Sequence, residues 1–555
     1  MNLRPFALFA LSLLLYLATL SAVLAQATDA TKPADESKLS EAQVQNLFAF
    51  ARVYGYVKYF YPLQKKDKIN WSHLAADGSQ RVLKATSEED LAETLQAIFQ
   101  PIAPLLQIHS TSDNIAATPQ EGGKRYYYNL HKGLGQDKAD LPILTRKISG
   151  LYKSQLVEVD HQTYLDLVAK GRLLSAENLY TVQLTEKLHC SLPLVLTHSN
   201  FQSNKAYKHF GKKYQLNLDQ HQDRLATIII FWNVFQHFHP YLDHAAAWDS
   251  VFVQTMQQLS PTMTRAEFMG IARNLTTSLN DGHAYTASTN STGIYKRPTA
   301  PALETAWVEN QLVVSKVNIE NIPIQPGGVI LKVDTKEAAE LLNFTKNFLS
   351  NANPENNNLL AAQSTLGWLG SSTSNVAITL TDSSGTAKTI ALNTQDFQFK
   401  ATAPTTAIRE LEGGVYYVNT SYASEKDIKE NLTALQQAKG IVFDMRTRPS
   451  SNFTKSVLPY LIEKEVETGN WSIPHYTFPD QQNVHFEPVK KWSVKPNGTY
   501  LGANKAFLIG HNTFSYGETC AEMIDHYKIG TLVGGSTAGT NGNINFSGAG
   551  QLQVT

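Results

Sequence analysis

Ala506-Phe-Leu-Ile-Gly-His-Asn-Thr-Phe-Ser-Tyr-Gly-Glu518 sets four apolar residues against a glycine, a polar stretch and then a serine followed three places on by a glutamate. The apolar run reads as a strand over 506–509, and Ser515-Tyr-Gly-Glu518 carries the capping-box spacing that opens a helix, expected near 515–527. Outward from it the same alternation repeats. Thr531-Leu-Val533 follows as a strand; Gly440-Ile-Val-Phe-Asp-Met445 precedes it with a helix near 454–464, and Gly414-Val-Tyr-Tyr-Val-Asn419 precedes that with a helix near 426–438. Short apolar strands alternating with helices predict a mostly parallel, helix-covered sheet. In such sheets chemistry gathers beyond the carboxyl ends of the strands, where Asp444, Arg446 and the segment 511–518 fall.

The chain of 555 residues balances 48 Lys+Arg against 48 Asp+Glu, with 42% hydrophobic and 17% charged residues. That composition excludes a disordered chain and a strongly basic nucleic-acid binder; its length predicts several domains. Cys190 and Cys520 stand far apart, without the spacing of a zinc site or a disulfide framework. No metal and no cofactor is expected. At the other end, Arg4 and an apolar run from Phe6 to Leu24 precede Ala25-Gln-Ala27, the charged, apolar, small order of a secretory signal. Residues 1–25 are read as a signal peptide and 26–40 as a linker, which predicts a periplasmic or secreted protein without stable membrane association after cleavage; a membrane anchor is the alternative.

Two segments match at an offset of 178: Phe50-Ala-Arg-Val-Tyr-Gly-Tyr-Val-Lys-Tyr-Phe-Tyr-Pro62 and Ile228-Ile-Ile-Phe-Trp-Asn-Val-Phe-Gln-His-Phe-His-Pro240. Trp71 answers Trp248, and the cap pairs Ser87/Asp90 and Thr264/Glu267 agree. Two helical modules are expected, 41–105 and 222–299, each with an aromatic helix stopped by proline. Between them, 106–221 reads as a β-rich insert. After 300 a hairpin pattern at 307–317, Pro326-Gly-Gly-Val-Ile-Leu-Lys-Val-Asp334 and apolar runs at 376–380 and 389–392 predict a compact β domain over 300–393, with the Asn/Ser-rich 350–375 as a loop or lid. The α/β part occupies 394–555.

Ser515 sits where a hydroxyl would be exposed at a helix start, with free N–H groups aimed at an incoming oxyanion. Serine is also a preferred N-cap, and the local sequence allows both. Asn280-Asp-Gly-His283 closes the second helical module at a turn, making His283 an exposed imidazole suited to a general base or an ordinary surface histidine. Gly534-Gly-Ser-Thr-Ala-Gly-Thr540 nearly spells a phosphate loop but lacks its lysine, which argues against nucleotide binding. His237 and His239 lack a nearby third ligand for a metal.

Together, Asp281-Gly-His283, the strand ending Ile441-Val-Phe-Asp-Met-Arg446, Ser515-x-x-Glu518 and Gly534-x-x-Thr-Ala-Gly-Thr540 resemble the tail-specific (carboxyl-terminal processing) serine peptidases and their tricorn-core and interphotoreceptor retinoid-binding relatives. The resemblance covers roughly 222–555 and implies a multidomain α+β and α/β fold: helical modules, a PDZ-like domain over 300–393 and a crotonase-like (ClpP-like) peptidase domain over 394–555. It implies Ser515 as nucleophile and the Tyr516 backbone N–H as half of the oxyanion hole. The lysine of the processing peptidases is replaced by Thr540, so the base is assigned as in the tricorn-like branch to His283, with Asp281 and Glu518 in support. The family's glycine-rich turn is Thr447-Arg-Pro-Ser-Ser451 here, and Ser450 or Ser451 is expected to give the second oxyanion N–H. Relatives continue past the strand 551–555, so a truncated chain is expected.

The sequence thus predicts an exported serine-type endopeptidase acting on peptide or protein substrates, taken up as extended strands beside 326–334. A catalytically impaired peptide-binding scaffold on the same fold is the alternative, and a β-rich surface or glycan-binding module the third reading.

Overall fold

The computed structural model describes residues 38–555 apart from 65, 67–68, 111–122, 136–151, 204–213, 246, 289–302, 319–321, 370–374, 383, 394–405, 543–546, 550–551 and 555. The signal-peptide reading and nearly all of the linker lie outside the described residues. Among the described residues no helix is long and apolar enough to cross a membrane.

Ser40 opens the first helix, Glu41–Gly55, with a capping box to Gln43, and a π turn, Tyr56–Phe60, follows it before Pro62. Its counterpart is His221–Phe238. Two further helices follow each: Trp71–Val82 and Glu88–Phe99 in the first set, Trp248–Gln257 and Arg265–Thr277 in the second. Equivalent positions make equivalent bonds. Tyr54 Oη donates to the Trp71 carbonyl at 3.3 Å, and Trp232 Nε1 donates to the Trp248 carbonyl at 3.2 Å. The two sets share one core containing Phe50, Phe60, Phe231, Trp232, Phe252 and Phe268, all buried. Each such side chain contributes about 1.5–3 kcal/mol through burial. Asn233 bridges the sets by donating to the Ala51 carbonyl at 2.9 Å.

The insert is β-rich and carries two helices among its described residues, His161–Ala169 and the short His198–Ser203. Strand Arg125–Lys132 pairs antiparallel with Lys153–Asp160 along its length and with Val195–Thr197. It also accepts a strand from far down the chain, Trp471–Tyr476, through His475↔Lys132. A neighbouring residue, Asp480, accepts from the Tyr56 and Tyr180 hydroxyls and from Gln236 Nε2 at 2.9–3.0 Å. The excursion around 466–501 therefore knits the α/β part to both the insert and the helical core.

Residues 303–393 form a six-stranded antiparallel sheet. Its hairpin, Leu303–Val308 with Gln311–Val317, turns at Glu309-Asn310, both at positive φ (49° and 62°), the left-handed pair that matches strand twist. Two expectations are corrected here. The strand Val329–Val333 is interior, paired with both Gln311–Val317 and Asn375–Thr381, so no peptide strand can add beside it. The 350–375 stretch is not a loop: Pro354–Asn356 is a 3₁₀ turn and Asn357–Leu369 an α-helix. Ala361, Ala362, Thr365 and Leu366, one helical face, are buried in the domain core and outweigh the asparagines.

The α/β sheet has the order Ile408–Glu410, Val415–Asn419, Gly440–Asp444, Asn504–Ile509, Thr531–Gly534; the first pair is antiparallel and the rest parallel. The helix expected near 426–438 is two short ones, Glu425–Glu430 and Leu432–Gln437. That near 454–464 is Phe453–Ser456 and a 3₁₀ turn, Leu458–Tyr460, because Pro459 cannot continue an α-helix. The last hairpin, Ser547–Ala549 and Leu552–Val554, adds to Thr286–Ser288 with Val554↔Thr286, tying the segment just after His283 to the end of the α/β part.

Candidate active site

At the carboxyl edge of the parallel sheet the chain passes from strand Asn504–Ile509 to helix Tyr516–His526 through a tight junction. Thr513 holds it: its Oγ1 donates to the Met445 carbonyl at 2.7 Å and accepts the Gly510 N–H at 3.0 Å. Ser515 follows with φ 54° and ψ −115°, and the Gly517 N–H donates to the Phe514 carbonyl at 2.9 Å. This is a type II′ turn with serine where glycine is favoured. A non-glycine residue there stores about 1–3 kcal/mol and persists only if its surroundings enforce it. Sharp, strained strand-to-helix turns project a nucleophilic oxygen. The first helical N–H, that of Tyr516, finds no acceptor among the described residues and is open to a ligand.

Glu518 is the enforcing group. Its buried carboxylate accepts the Ser515 N–H at 2.9 Å, the Thr537 hydroxyl at 2.8 Å, the Gly539 N–H at 2.7 Å and the Thr540 N–H at 3.0 Å. One side chain thereby clamps both the serine turn and the Gly-rich loop after the next strand. The capping-box spacing marked Glu518 in the sequence; the loop contacts, separated by about twenty residues, carried no local signal. Asn353 and Asn356 brace the same loop by donating to the Thr537 carbonyl at 3.2 and 2.8 Å.

The Asp281-Gly-His283 turn packs against this assembly. Asp281 N donates to Ser350 Oγ at 3.0 Å, and His283 N donates to Asp281 Oδ1 at 2.8 Å. A Cβ on Gly282 would stand 2.6 Å from Thr540 Oγ1 and 3.4 Å from a Phe514 ring carbon, so only glycine allows the approach. The His283 imidazole lies against the Phe514 ring with centroids 4.7 Å apart, beside the residue that precedes Ser515. The exposed histidine expected from the turn is corrected: its side chain is 14% exposed because Phe514 covers it. Burial pushes its pKa below the ordinary value, the Asp281 and Glu518 carboxylates pull it up, and the Arg448 guanidinium pushes it down. Nδ1 stands 3.9 Å from Asp281 Oδ1, a through-space attraction rather than a hydrogen bond.

The other wall is the turn after strand Gly440–Asp444. Asp444 accepts a bidentate pair from Arg446 at 3.0 and 2.7 Å and the Tyr417 hydroxyl at 2.7 Å. Burial would raise the Asp444 carboxyl, but Arg446 and Tyr417 outweigh it and hold it below its usual value. These contacts make Asp444 and Arg446 supports of the turn. The Ser450 N–H, expected as the second oxyanion donor, instead donates to the Thr420 carbonyl at 2.9 Å, since the turn folds back on the preceding strand's end. Pro449 faces the helix start, its Cδ 2.9 Å from where a Gly517 Cβ would stand. Arg448, which the sequence reading passed over, lies over the Tyr516 ring at 5.8 Å.

Lys528 lies beyond the far end of the serine helix, paired with Asp525 at 2.9 Å. Burial pushes the Cys190 and Cys520 thiols up to about 12, so both stay protonated at neutral pH. Among the described residues no group of three or more His, Cys, Asp or Glu side chains could hold a metal ion.

No protein-family model and no curated protein matches the chain. Among solved structures, it is similar to mature CPAF complexed with lactacystin, at 12% identity over 59% of this chain and 87% of that one, with a TM-score of 0.44. It is also similar to the photosystem II D1 C-terminal processing protease, at 15% identity over 59% and 85% of the two chains and a TM-score of 0.33. The tricorn protease matches at 11% identity over 73% of this chain and 38% of its own, with a TM-score of 0.28.

Proposed function

We propose that this chain is an exported serine-type endopeptidase that cleaves peptide or protein substrates by acyl transfer through Ser515, with His283 as the base. The observation that carries the reading is the packing of the His283 imidazole on Phe514 beside a strained Ser515, next to the open Tyr516 N–H. Serine needs a neighbouring base, and a histidine kept neutral by burial is one at pH 7. The imidazole takes the hydroxyl proton as Oγ attacks the carbonyl carbon, and returns it to the leaving amine. Glu518 holds the turn and Asp281 the histidine.

The binding-scaffold reading keeps one observation in its favour, the engagement of Ser450 N–H by Thr420. Incubation with a peptide mixture and mass spectrometry of the products separates the two. Peptidase action predicts new termini that vanish in Ser515→Ala and persist in His511→Ala, with an acid limb centred below pH 6.5 because the His283 pKa is lowered. Intact peptides would leave the scaffold reading.

A further inference from the structure

An acyl-transfer site needs more than one donor aimed at the developing oxyanion, and in the 445–451 turn that faces Tyr516 only the Thr447, Arg448 and Ser451 N–H groups lack an acceptor among the described residues. Met445 N donates to the Leu508 carbonyl, Arg446 N to Asp444 Oδ1 and Ser450 N to the Thr420 carbonyl, while Pro449 has no N–H at all. Proline also occupies the point of contact with the helix start, at Gly517. The residue immediately before it is Arg448, exposed, with its guanidinium 5.8 Å from the Tyr516 ring centroid. Its backbone is fixed, because Ser421 Oγ donates to the Arg448 carbonyl at 2.9 Å and bonds the Thr447 hydroxyl at 2.7 Å. The Tyr516 platform is fixed too, its hydroxyl taking the Thr454 N–H at 3.0 Å and its ring lying 6.1 Å from that of Trp492. So a cation on a long, mobile stem stands over the residue whose N–H opens the oxyanion site.

We infer that Arg448 is a catalytic residue of this chain, its guanidinium supplying the second oxyanion contact that a backbone N–H of the 445–451 turn would otherwise give. This rests on the acyl-transfer reading of Ser515. As Ser515 Oγ bonds to the carbonyl carbon, its proton moves to His283 and the carbonyl π pair becomes an alkoxide held by Tyr516 N–H and Arg448. Collapse restores the carbonyl, breaks the C–N bond and returns the proton to the amine, and water repeats the sequence on the acyl-enzyme. Guanidinium donors suit a localised oxygen anion. The same charge faces His283 together with Asp281 from its own turn and Glu518 from the serine helix, while His239, at the preceding helix end, faces both Asp281 and Asp243.

The test compares Arg448→Lys, Arg448→Met and Arg448→Ala in the full chain, with peptide hydrolysis and fluorophosphonate labelling of Ser515 as readouts. The expected result is a kcat loss on the order of 10²–10³ for Met and Ala with KM little changed, partial recovery in Lys, and an acid limb displaced toward higher pH in Met, since a charge that disfavours protonated His283 is gone. Arg448 is exposed, so unchanged denaturation midpoints are expected. Activity within about threefold of wild type for Met and Ala would overturn the inference and leave the Thr447, Arg448 or Ser451 backbone N–H as the donor, with the acyl-transfer reading intact. A wild-type chain in which folded Ser515 is never labelled would overturn both.

Discussion

Ser515 combines a hydroxyl at a helix start with φ 54° and ψ −115°. Its conformation favours glycine, and its chemistry requires serine. Replacement by glycine should release about 1–3 kcal/mol of backbone strain against about 0.5–1 kcal/mol for the freer unfolded chain. Ser515→Gly is therefore expected to be about 1 kcal/mol more stable than Ser515→Ala in urea denaturation, with both inactive. A glycine variant less stable than the alanine one would show that the turn is not strained. At this scale the sequence was informative about identity and poor about environment. Ser515, Glu518, His283 and Asp281 were all singled out from short motifs. The burial of His283 under Phe514, the loss of Ser450 N–H to Thr420 and the position of Arg448 depend on how three separate segments meet, which no local spacing encodes.

Elements were legible where a period or a turn residue dominated. The cap residues Ser40, Ser87 and Thr264 mark helix starts, and Glu309-Asn310 closes the hairpin after Leu303–Val308. Helix Asn357–Leu369 was hidden because its asparagines read as loop while its buried face was short. The paired aromatic helices show a close approach that sequence could not reveal. A Cβ on Gly55 would fall 1.8 Å from Asn233 Oδ1 and 2.6 Å from His237 Nε2. Asn233 is held by bonds to the Ala51 and Ile229 carbonyls, both 2.9 Å, so it cannot retreat. Alanine is the better helix former by about 1 kcal/mol, yet overpacking typically costs about 1–3 kcal/mol and more where the neighbour is fixed. Gly55→Ala should lower stability by about 2 kcal/mol in equilibrium unfolding; an unchanged or raised midpoint would mean the two helices separate freely.

Across the whole molecule the helical core, the insert and the α/β part are joined by long-range pairings: Trp471–Tyr476 with Arg125–Lys132, Asp480 with Tyr56 and Tyr180, and Val554 with Thr286. Near these joins lie His131 and His237, wholly buried and pushed by that burial down to about 3 and about 4. Their folded pKa values lie below the ordinary 6.5, so the unfolded chain binds the extra protons and stability falls as pH drops from 6.5 toward 4. Each contributes a loss of about 2 kcal/mol by pH 5, expected as a lower urea midpoint at pH 5 than at pH 7. A flat midpoint over that range would place the imidazoles in contact with water. Long-range packing also carries the candidate site, since the His283 turn lies against Phe514 and the loop after the serine helix is clamped by Glu518. The most direct test is therefore labelling of the full chain with a fluorophosphonate probe, followed by mapping of the modified residue in wild type and in His283→Ala. The account predicts one modified side chain, Ser515, in the folded wild type and its loss in the variant at an unchanged denaturation midpoint; an unlabelled Ser515 in folded wild type, or equal labelling without the imidazole, would contradict it.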